Sequence, residues 1–308
     1  MTLKFQACTV LCVTLVTLIV SGNGWGRGNT AASVSQTVEN HSNVMDSAPF
    51  DLTIAAGSAF ERRAPTKGES PSPAGQDPAR YVLTFSEEFD NSLNTSLWND
   101  HIWYEKSNPT KNYEVSNGML KVWPERDATG KFVHRILDTD GHFSQAYGYF
   151  EMEAKLPMGK GVWPAFWLYN HLAGNSFVPE IDIMEAYPGG GAESGWSDKK
   201  LRPTAYGVTI FAKGASGPNK GPSITKMLTN LGDLSARFHK YGLKWEPHKQ
   251  TFYFDGKEMF SANVSMSDPL YILLDIQFGS ASGTPDDKTP RGKLNSLEID
   301  YVRAWKLR

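Results

Sequence analysis

Apolar and polar residues alternate with a period of two in short stretches from about residue 80 to the end of the chain. Because side chains two residues apart point to the same face of a β-strand, this alternation predicts strands with one buried and one exposed face. The clearest examples are residues 80–90, 119–123, 147–155 and 251–254. Turn residues separate these stretches, and helical periodicity is nearly absent. The pattern therefore predicts an all-β sandwich.

The strand predicted over residues 179–188 carries the most informative pattern. Glu180 and Asp182 share one face, while the isoleucines that alternate with them point the other way. Glu185 does not fit this register, since a strict period of two turns it toward the apolar face. A β-bulge at residues 183–184 corrects the phase by adding one residue to the strand, a feature common beside active sites. With this bulge, the three carboxyl groups lie on one face.

Three acidic side chains on one strand face favour a particular chemistry. Carboxyl groups that crowd together raise one another's pKa, so that one stays protonated while another is ionised. Retaining glycoside hydrolysis needs such a pair: a carboxylate attacks the anomeric carbon, and a protonated neighbour about 5–5.5 Å away donates a proton to the leaving oxygen. Glu180 and Glu185 are the outer pair, with Asp182 between them. The alternative is an amphipathic strand whose acidic face is solvated.

This strand resembles the catalytic signature of glycoside hydrolase family 16 in its bulged form, E-I-D-x-x-E. Other stretches similar to the family run from residue 80 to residue 308, among them F-S-E-E-F-D, N-G-x-L-x-V, G-V-W-P-A-F-W-L, F-H-K-Y-G-L-K-W and L-E-I-D-Y-V-R-A-W. The resemblance implies a concanavalin A-like β-jelly roll of two antiparallel sheets with a concave substrate cleft. It also implies that Glu180 is the nucleophile, Asp182 the assisting acid and Glu185 the general acid/base, and that catalysis requires no cofactor.

Two further strands supply candidate substrate-binding residues. Trp163 and Trp167 share a face with a small alanine between them, which leaves room for a sugar ring. Asp275 and Gln277 share the polar face of an otherwise apolar strand, where sugar hydroxyls are suitable partners. Core packing of the tryptophans and an internal hydrogen-bonded pair are the alternatives. The resemblance implies that the two tryptophans lie in the cleft, whereas the family more often has Asn where this chain has Asp275.

No cluster of His, Cys and Asp with metal-ligand spacing is visible in the sequence. Many members of the resembled family hold a structural Ca²⁺ on the convex side, and the resemblance places this site at Asp300, the carbonyl of Gly118 and Glu88. Carboxylate and carbonyl oxygens suit this hard cation. The same residues are equally typical of a protein surface.

Two stretches after the acidic strand add to this picture. Residues 204–211 correspond to a strand that often carries a cleft histidine in the family, yet this chain has none there. Substrate binding on the leaving-group side is therefore expected to differ. The glycine-rich residues 189–196 predict a mobile loop that lays Trp196 over the cleft.

The N-terminal part of the chain differs from the rest. An apolar run from Ala7 to Val20 follows Lys4, as in a secretory signal, and is shorter than the roughly 20 residues that span a membrane. We predict a signal peptide over residues 1–32, a disordered Ser-, Pro- and Gly-rich linker over 33–79 and a catalytic domain over 80–308. An uncleaved anchor is the alternative. The mature form is expected to be secreted, extracellular or periplasmic, without membrane contact.

Composition sets limits on partners. The chain has 308 residues, 21% of them charged, and a net charge of −2, which argues against a nucleic-acid or anionic-membrane partner. We expect a monomer that acts on a polysaccharide: a retaining endo-β-glycanase for β-1,3- or mixed β-1,3/1,4-linked glucan or a related bacterial exopolysaccharide. The alternatives are a red-algal galactan hydrolase, a transglycosylase and a jelly roll that binds glycan without cleaving it.

Overall fold

The computed structural model describes residues 71–172, 179–190, 201–212 and 223–308. The predicted signal peptide, most of the predicted linker and the loop with Trp196 lie outside these residues. Within the described part of the chain, no helix is long and apolar enough to cross a lipid bilayer.

The described residues form antiparallel β-strands and three short 3₁₀ helices, at Pro78–Arg80, Ser280–Ser282 and Lys293–Asn295. The strands are β1 (Tyr81–Glu87), β2 (Tyr113–Ser116), β3 (Met119–Val122), β4 (Arg135–Asp138), β5 (Gly148–Lys155), β6 (Val162–Tyr169), β7 (Glu180–Ala186), β8 (Tyr206–Phe211), β9 (Ile224–Leu228), β10 (His239–Glu246), β11 (Lys249–Phe254), β12 (Lys257–Ala262), β13 (Tyr271–Phe278) and β14 (Leu297–Leu307).

These strands form two antiparallel sheets. The larger has the order β12-β11-β10-β5-β14-β3-β2, and β1 also pairs with β14. The smaller has the order β4-β13-β6-β7-β8-β9, so the acidic strand β7 lies at its centre. The predicted all-β sandwich of two antiparallel sheets is confirmed.

The hydrophobic core lies between the two sheets. Phe166 and Leu168 of β6 and Leu274 of β13 pack there against Trp245 of β10 and Val302 of β14, all without measurable exposure. Burial of each such side chain contributes about 1.5–3 kcal/mol to folding. Because β6 and β13 place alternate residues in this core, their remaining side chains must point outward from the smaller sheet.

The predicted β-bulge is present in β7. Met184 of β7 pairs with Phe166 of β6, and Asp182 of β7 pairs with Trp167 of β6. Ile183, between them, has no pairing partner on β6. Against β8, the register also shifts between Asp182 and Glu185. The consecutive residues 183 and 184 are therefore both buried in the core. The extra residue turns Glu185 to the same outer face as Glu180.

The packed unit begins earlier than residue 80. The Ala74 backbone N–H donates to a Glu151 carboxylate oxygen (3.0 Å), and Trp305 Nε1 donates to the Pro71 carbonyl (2.8 Å). Gly75 adopts φ +69° and lies so close to the Gly256 carbonyl that a Cβ would clash with it. Residues 71–79, assigned from sequence to the linker, thus contact the larger sheet. Composition alone could not predict this, because it does not show hydrogen bonds.

Candidate active site

The outer face of the smaller sheet, called the cleft face below, carries the candidate catalytic residues. The partly exposed Trp163, Trp167 and Tyr169 of β6 alternate there with buried neighbours. On β7, Glu180 and Glu185 are likewise partly exposed between buried residues. Cross-strand pairing places Tyr169 opposite Glu180, Trp167 opposite Asp182 and Ala165 opposite Glu185. Three carboxyls and three aromatic rings therefore share one surface.

Glu185 is held by two aromatic side chains. Trp163 Nε1 donates a hydrogen bond to Glu185 Oε1 (3.1 Å), and the Tyr187 hydroxyl bonds the same carboxyl. The Trp163 and Tyr187 rings stack on each other with centroids 5.9 Å apart. Burial raises the pKa of Glu185, and these hydrogen bonds only partly offset that rise. The carboxyl is thus both oriented and biased toward its protonated form.

Asp182 links the two glutamates. Its side chain is 3% exposed and hydrogen-bonds both the Glu180 and the Glu185 carboxyl. A hydrogen bond between two carboxyls requires a proton on one of them. Burial, and for Glu180 repulsion from Glu185 as well, raise the pKa of both glutamates. The three groups therefore titrate as one unit that keeps a proton at pH values where isolated carboxyls are ionised.

Glu180 faces a tyrosine of the neighbouring strand. Burial and the charge of Glu180 raise the pKa of Tyr169 to about 12, so its hydroxyl stays protonated. The Tyr169 ring lies 5.4 Å from the Trp167 ring and 5.9 Å from the Tyr271 ring, centroid to centroid. An apolar wall with a hydroxyl thus borders the predicted nucleophile.

Asp275 and Gln277 lie on β13, on the far side of β6. Trp167 Nε1 donates to Asp275 Oδ2 (2.9 Å), and Gln277 Nε2 donates to the same oxygen (3.2 Å). Asp275 has no exposed surface, whereas Gln277 is partly exposed. Burial raises the pKa of Asp275 to about 7, although the hydrogen bonds from Gln277 and Trp167 lower it. Both protein donors thus bond Oδ2 of the carboxyl, while the buried Oδ1 has no hydrogen-bond partner among the described residues.

Sequence reasoning missed several aromatic residues of this face. Tyr187 follows Glu185 by two positions and Tyr169 follows Trp167 by two, so period-two counting along each strand already places them beside the named residues. Trp103 has no such signal, because residues 99–112 lack any periodicity. Only the structure brings this residue to the cleft face.

Trp103 lies at the end of an aromatic path that leads away from Glu180. It is 53% exposed and stacks on His171, with ring centroids 4.6 Å apart and an interplanar angle of 14°. His171 Nδ1 is 3.1 Å from the Tyr271 hydroxyl, and Tyr271 contacts Tyr169 beside Glu180. The adjacent Tyr104 is 56% exposed. A flat, half-exposed indole supported from below is typical of a surface that stacks on sugar rings.

The residues expected to bind calcium lie on or beside strands of the larger sheet. Both carboxylate oxygens of Glu88 accept hydrogen bonds from Arg303 (2.7 Å each), which neutralises the charge a cation needs. Gly118 lies in the turn between β2 and β3, and Asp300 lies on β14. Among the described residues, no three His, Cys, Asp or Glu side chains are grouped to hold a metal ion. Calcium binding by Glu88, Asp300 and the carbonyl of Gly118 stays a prediction.

An antiparallel two-sheet fold whose outer face joins three carboxyls to a row of aromatic rings has the groups that a glycoside hydrolase needs. The chain belongs to glycoside hydrolase family 16: residues 80–307 match the family model described as beta-porphyranase A-D, GH16 domain. Enzymes of this family need no cofactor for catalysis. The recognition made from the motifs is confirmed.

Comparison with individual proteins supports this assignment. The chain is 31% identical over 214 residues to endo-1,3-1,4-beta-glycanase ExsH of Rhizobium meliloti and 28% identical over 268 residues to EglC, described by the same enzyme name, from that organism. The matches cover 66% and 74% of this chain but only 42% and 53% of those relatives, so the chain spans about half their length. The catalytic domain of a laminarinase from Thermotoga petrophila superposes with a TM-score of 0.59 and 25% identity, covering 74% of this chain and 98% of that domain.

Proposed function

We propose that this chain is a secreted, retaining endo-β-glycanase that hydrolyses β-1,3- or mixed β-1,3/1,4-linked glucans. The observation that carries the proposal is the hydrogen bonding of Asp182 to both glutamates, with Glu185 held by Trp163 and Tyr187. One carboxyl can bridge two others only if they are close, as the retaining mechanism requires. The names of the relatives ExsH and EglC support a glucan-like substrate.

In the proposed reaction, Glu180 attacks the anomeric carbon while Glu185 donates its proton to the departing glycosidic oxygen. The carbon–oxygen bond to the leaving sugar breaks, and a glycosyl ester forms on Glu180. Glu185, now ionised, then removes a proton from water, which attacks the same carbon and releases Glu180. Asp182 shares its hydrogen bonds with both groups and so stabilises each charge state in turn.

The product anomer tests this mechanism. Two displacements at one carbon restore its configuration, so ¹H NMR of the first products from lichenan should show the β-anomer, with the α-anomer rising only through mutarotation. An α-anomer present first would indicate a single displacement and contradict the assignment of Glu180 as nucleophile.

A red-algal galactan is the second candidate substrate, because the matching family model is described as that of beta-porphyranases. Sulfated galactans favour a basic cleft. The described strands β6, β7, β8 and β13 contain no Lys or Arg, whereas Glu180, Asp182, Glu185 and Asp275 all belong to them. Their charge therefore favours a neutral glucan. Reducing-sugar release from lichenan, laminarin, agarose, porphyran and κ-carrageenan decides between the candidates, and chain-transfer products would identify a transglycosylase.

The remaining assignments concern the chain outside the catalytic fold. We propose export by a signal peptide within residues 1–32, a linker that ends before the contacts of Pro71, and a monomeric mature enzyme. N-terminal sequencing of the exported protein and its sedimentation coefficient test these points.

Replacing Trp103 is expected to weaken the binding of long substrates selectively. The Trp103 ring stacks on His171, meets the Tyr104 ring edge to face and is half-exposed, so its exposed part can contact a sugar ring distant from Glu180. Trp103→Ala should raise KM for lichenan about 5- to 30-fold, equivalent to roughly 1–2 kcal/mol of lost stacking, and leave kcat nearly unchanged. An activated aryl glycoside too short to reach the ring should show no change.

Trp103→Phe is the matched control, since it keeps an aromatic face and should recover most of the affinity. An equal loss of activity on long and short substrates would place Trp103 outside the substrate path.

A further inference from the structure

Asp275 is a fourth carboxyl on the cleft face, placed one strand away from the catalytic strand. It pairs with Ala165 on β6, and Ala165 in turn pairs with Glu185 on β7. Neighbouring strands are about 4.8 Å apart, so the Cα atoms of Asp275 and Glu185 are separated by roughly 10 Å. Only the methyl group of Ala165 stands on the strand between them.

The hydrogen bonds of Asp275 hold a ring of the cleft. The Trp167 indole N–H bonds the carboxylate at 2.9 Å, and Trp167 pairs with Asp182 in the register of β6 and β7. Rotation of the indole would leave a buried carboxylate with one charge-assisted hydrogen bond fewer, which is costly. Asp275 therefore restrains the Trp167 ring beside the catalytic strand.

The charge of Asp275 also reaches the catalytic pair. Its repulsion raises the pKa of Glu180, and Glu185 in turn raises the pKa of Asp275. The charge of Asp275 also contributes to the raised pKa of Tyr104, which is raised mainly by burial. On β4, Asp275 pairs with the apolar Ile136.

The charged neighbours of Ile136 on β4 are engaged elsewhere: Arg135 bonds Asn112 and three loop carbonyls, and Asp138 bonds Asn99. Among the described residues that face Asp275, no cation neutralises it.

We propose that Asp275 is a positioning residue with two effects: it orients the Trp167 ring, and its negative charge, one strand beyond Ala165, keeps the coupled Glu180–Glu185 pair protonated to higher pH. The proposal rests on the proposed function for the identity of the acid/base. The proposal goes beyond that function because it gives the buried Asp275 a measurable effect on the pH range of activity. A chain with Asn at this position would keep the hydrogen bond to Trp167 but lose the charge.

The variant Asp275→Asn removes the negative charge of the side chain while keeping its shape and its hydrogen-bond acceptor. The amide oxygen still accepts from Trp167 Nε1, and the side-chain volume is almost unchanged. Removing a negative charge lowers the pKa of nearby carboxyls, so the basic limb of kcat/KM against pH on lichenan should move about 0.5–1 pH unit toward acid. KM at the optimum should stay within about twofold. Asp275→Leu removes the acceptor as well, and should show the same limb shift together with a higher KM.

Asp138→Asn is the matched control. Asp138 is also fully buried on the same sheet, accepts a hydrogen bond from Asn99 (2.8 Å) and has a pKa raised mainly by burial. Its repulsion is not among the causes that raise the pKa of Glu180 or Glu185. This variant should therefore leave the pH limbs in place. A limb shift equal to that of Asp275→Asn, or no shift in Asp275→Asn, would overturn the proposal.

A second measurement does not depend on turnover. In protein labelled with ¹³C at the glutamate carboxyls, the upper apparent pKa of the Glu180–Glu185 pair should fall by the same 0.5–1 unit in Asp275→Asn. If lichenan is not cleaved at all, this titration still supports or rejects the effect of the charge. If the enzyme is inactive on lichenan but the apparent pKa falls as expected in Asp275→Asn, the proposed function is rejected and the effect of the Asp275 charge stands.

Discussion

Alanine at Glu180 and alanine at Glu185 are expected to abolish polysaccharide hydrolysis at two different steps. Without Glu180, no glycosyl ester can form, and turnover of lichenan should fall by more than about 10⁴-fold. Without Glu185, the nucleophile remains and only proton transfer is lost, which costs about 10²- to 10⁴-fold. An activated aryl glycoside needs little protonation of its leaving group, so Glu185→Ala should still react with it in a first, rapid step.

Added azide should reveal the two roles through the configuration of the product. In Glu185→Ala, azide attacks the glycosyl ester from the face that Glu185 served, which gives the β-glycosyl azide. In Glu180→Ala, azide occupies the vacated nucleophile position and displaces the leaving group directly, which gives the α-azide. NMR of the isolated azides distinguishes them, and the reverse pairing of variant and product would exchange the two roles.

Glu298→Ala serves as the control for both variants. Glu298 lies on β14 in the larger sheet and pairs with Lys155 Nζ at 2.8 Å, away from the cleft face. It should retain normal activity and should not respond to azide. This outcome ties the large losses to the two positions on β7.

Arg135→Met is expected to have the largest effect on stability among surface-loop contacts. The Arg135 side chain is 2% exposed. Its guanidinium donates at 2.8–3.0 Å to Asn112 Oδ1 and to the carbonyls of Asp100, Asn108 and Thr110. Methionine fills much of the volume but leaves the buried Asn112 Oδ1 and the three part-buried loop carbonyls without this donor.

The free energy of unfolding should fall by about 3 kcal/mol, and Tm by roughly 6–12 °C for a domain of this size. Differential scanning calorimetry measures this change. Because the same loop carries Trp103, KM for lichenan should also rise. The exposed Arg291, whose Nη1 is 3.5 Å from Glu125 Oε1, is the control: Arg291→Met should change stability by less than about 1 kcal/mol. Equal Tm values for the two variants would show that the buried guanidinium does not hold the loop.

The sequence by itself determined the class of fold and the catalytic strand. Period-two alternation depends only on local geometry, and it correctly assigned β6, β7 and β13 one core face and one outer face. Glu185 does not follow the period of two set by Glu180 and Asp182. Such a residue is either buried or turned to the outer face by one extra residue in the strand, so this mismatch was enough to predict the bulge. The motifs around these strands were enough to recognise the family.

Only the tertiary structure decided which partners these side chains have. Periodicity tells which face a residue occupies but not which strand lies beside it, so the bonds from Trp167 to Asp275, 108 residues apart, and from Arg303 to Glu88, 215 residues apart, were unpredictable. The first shows that Asp275, which the sequence predicts to bind sugar, is buried and bonds the Trp167 ring. The second gives Glu88, an expected calcium ligand, an arginine partner. Trp103 joined the cleft face for the same reason, since its loop is held by long-range hydrogen bonds to Arg135 rather than by any local pattern.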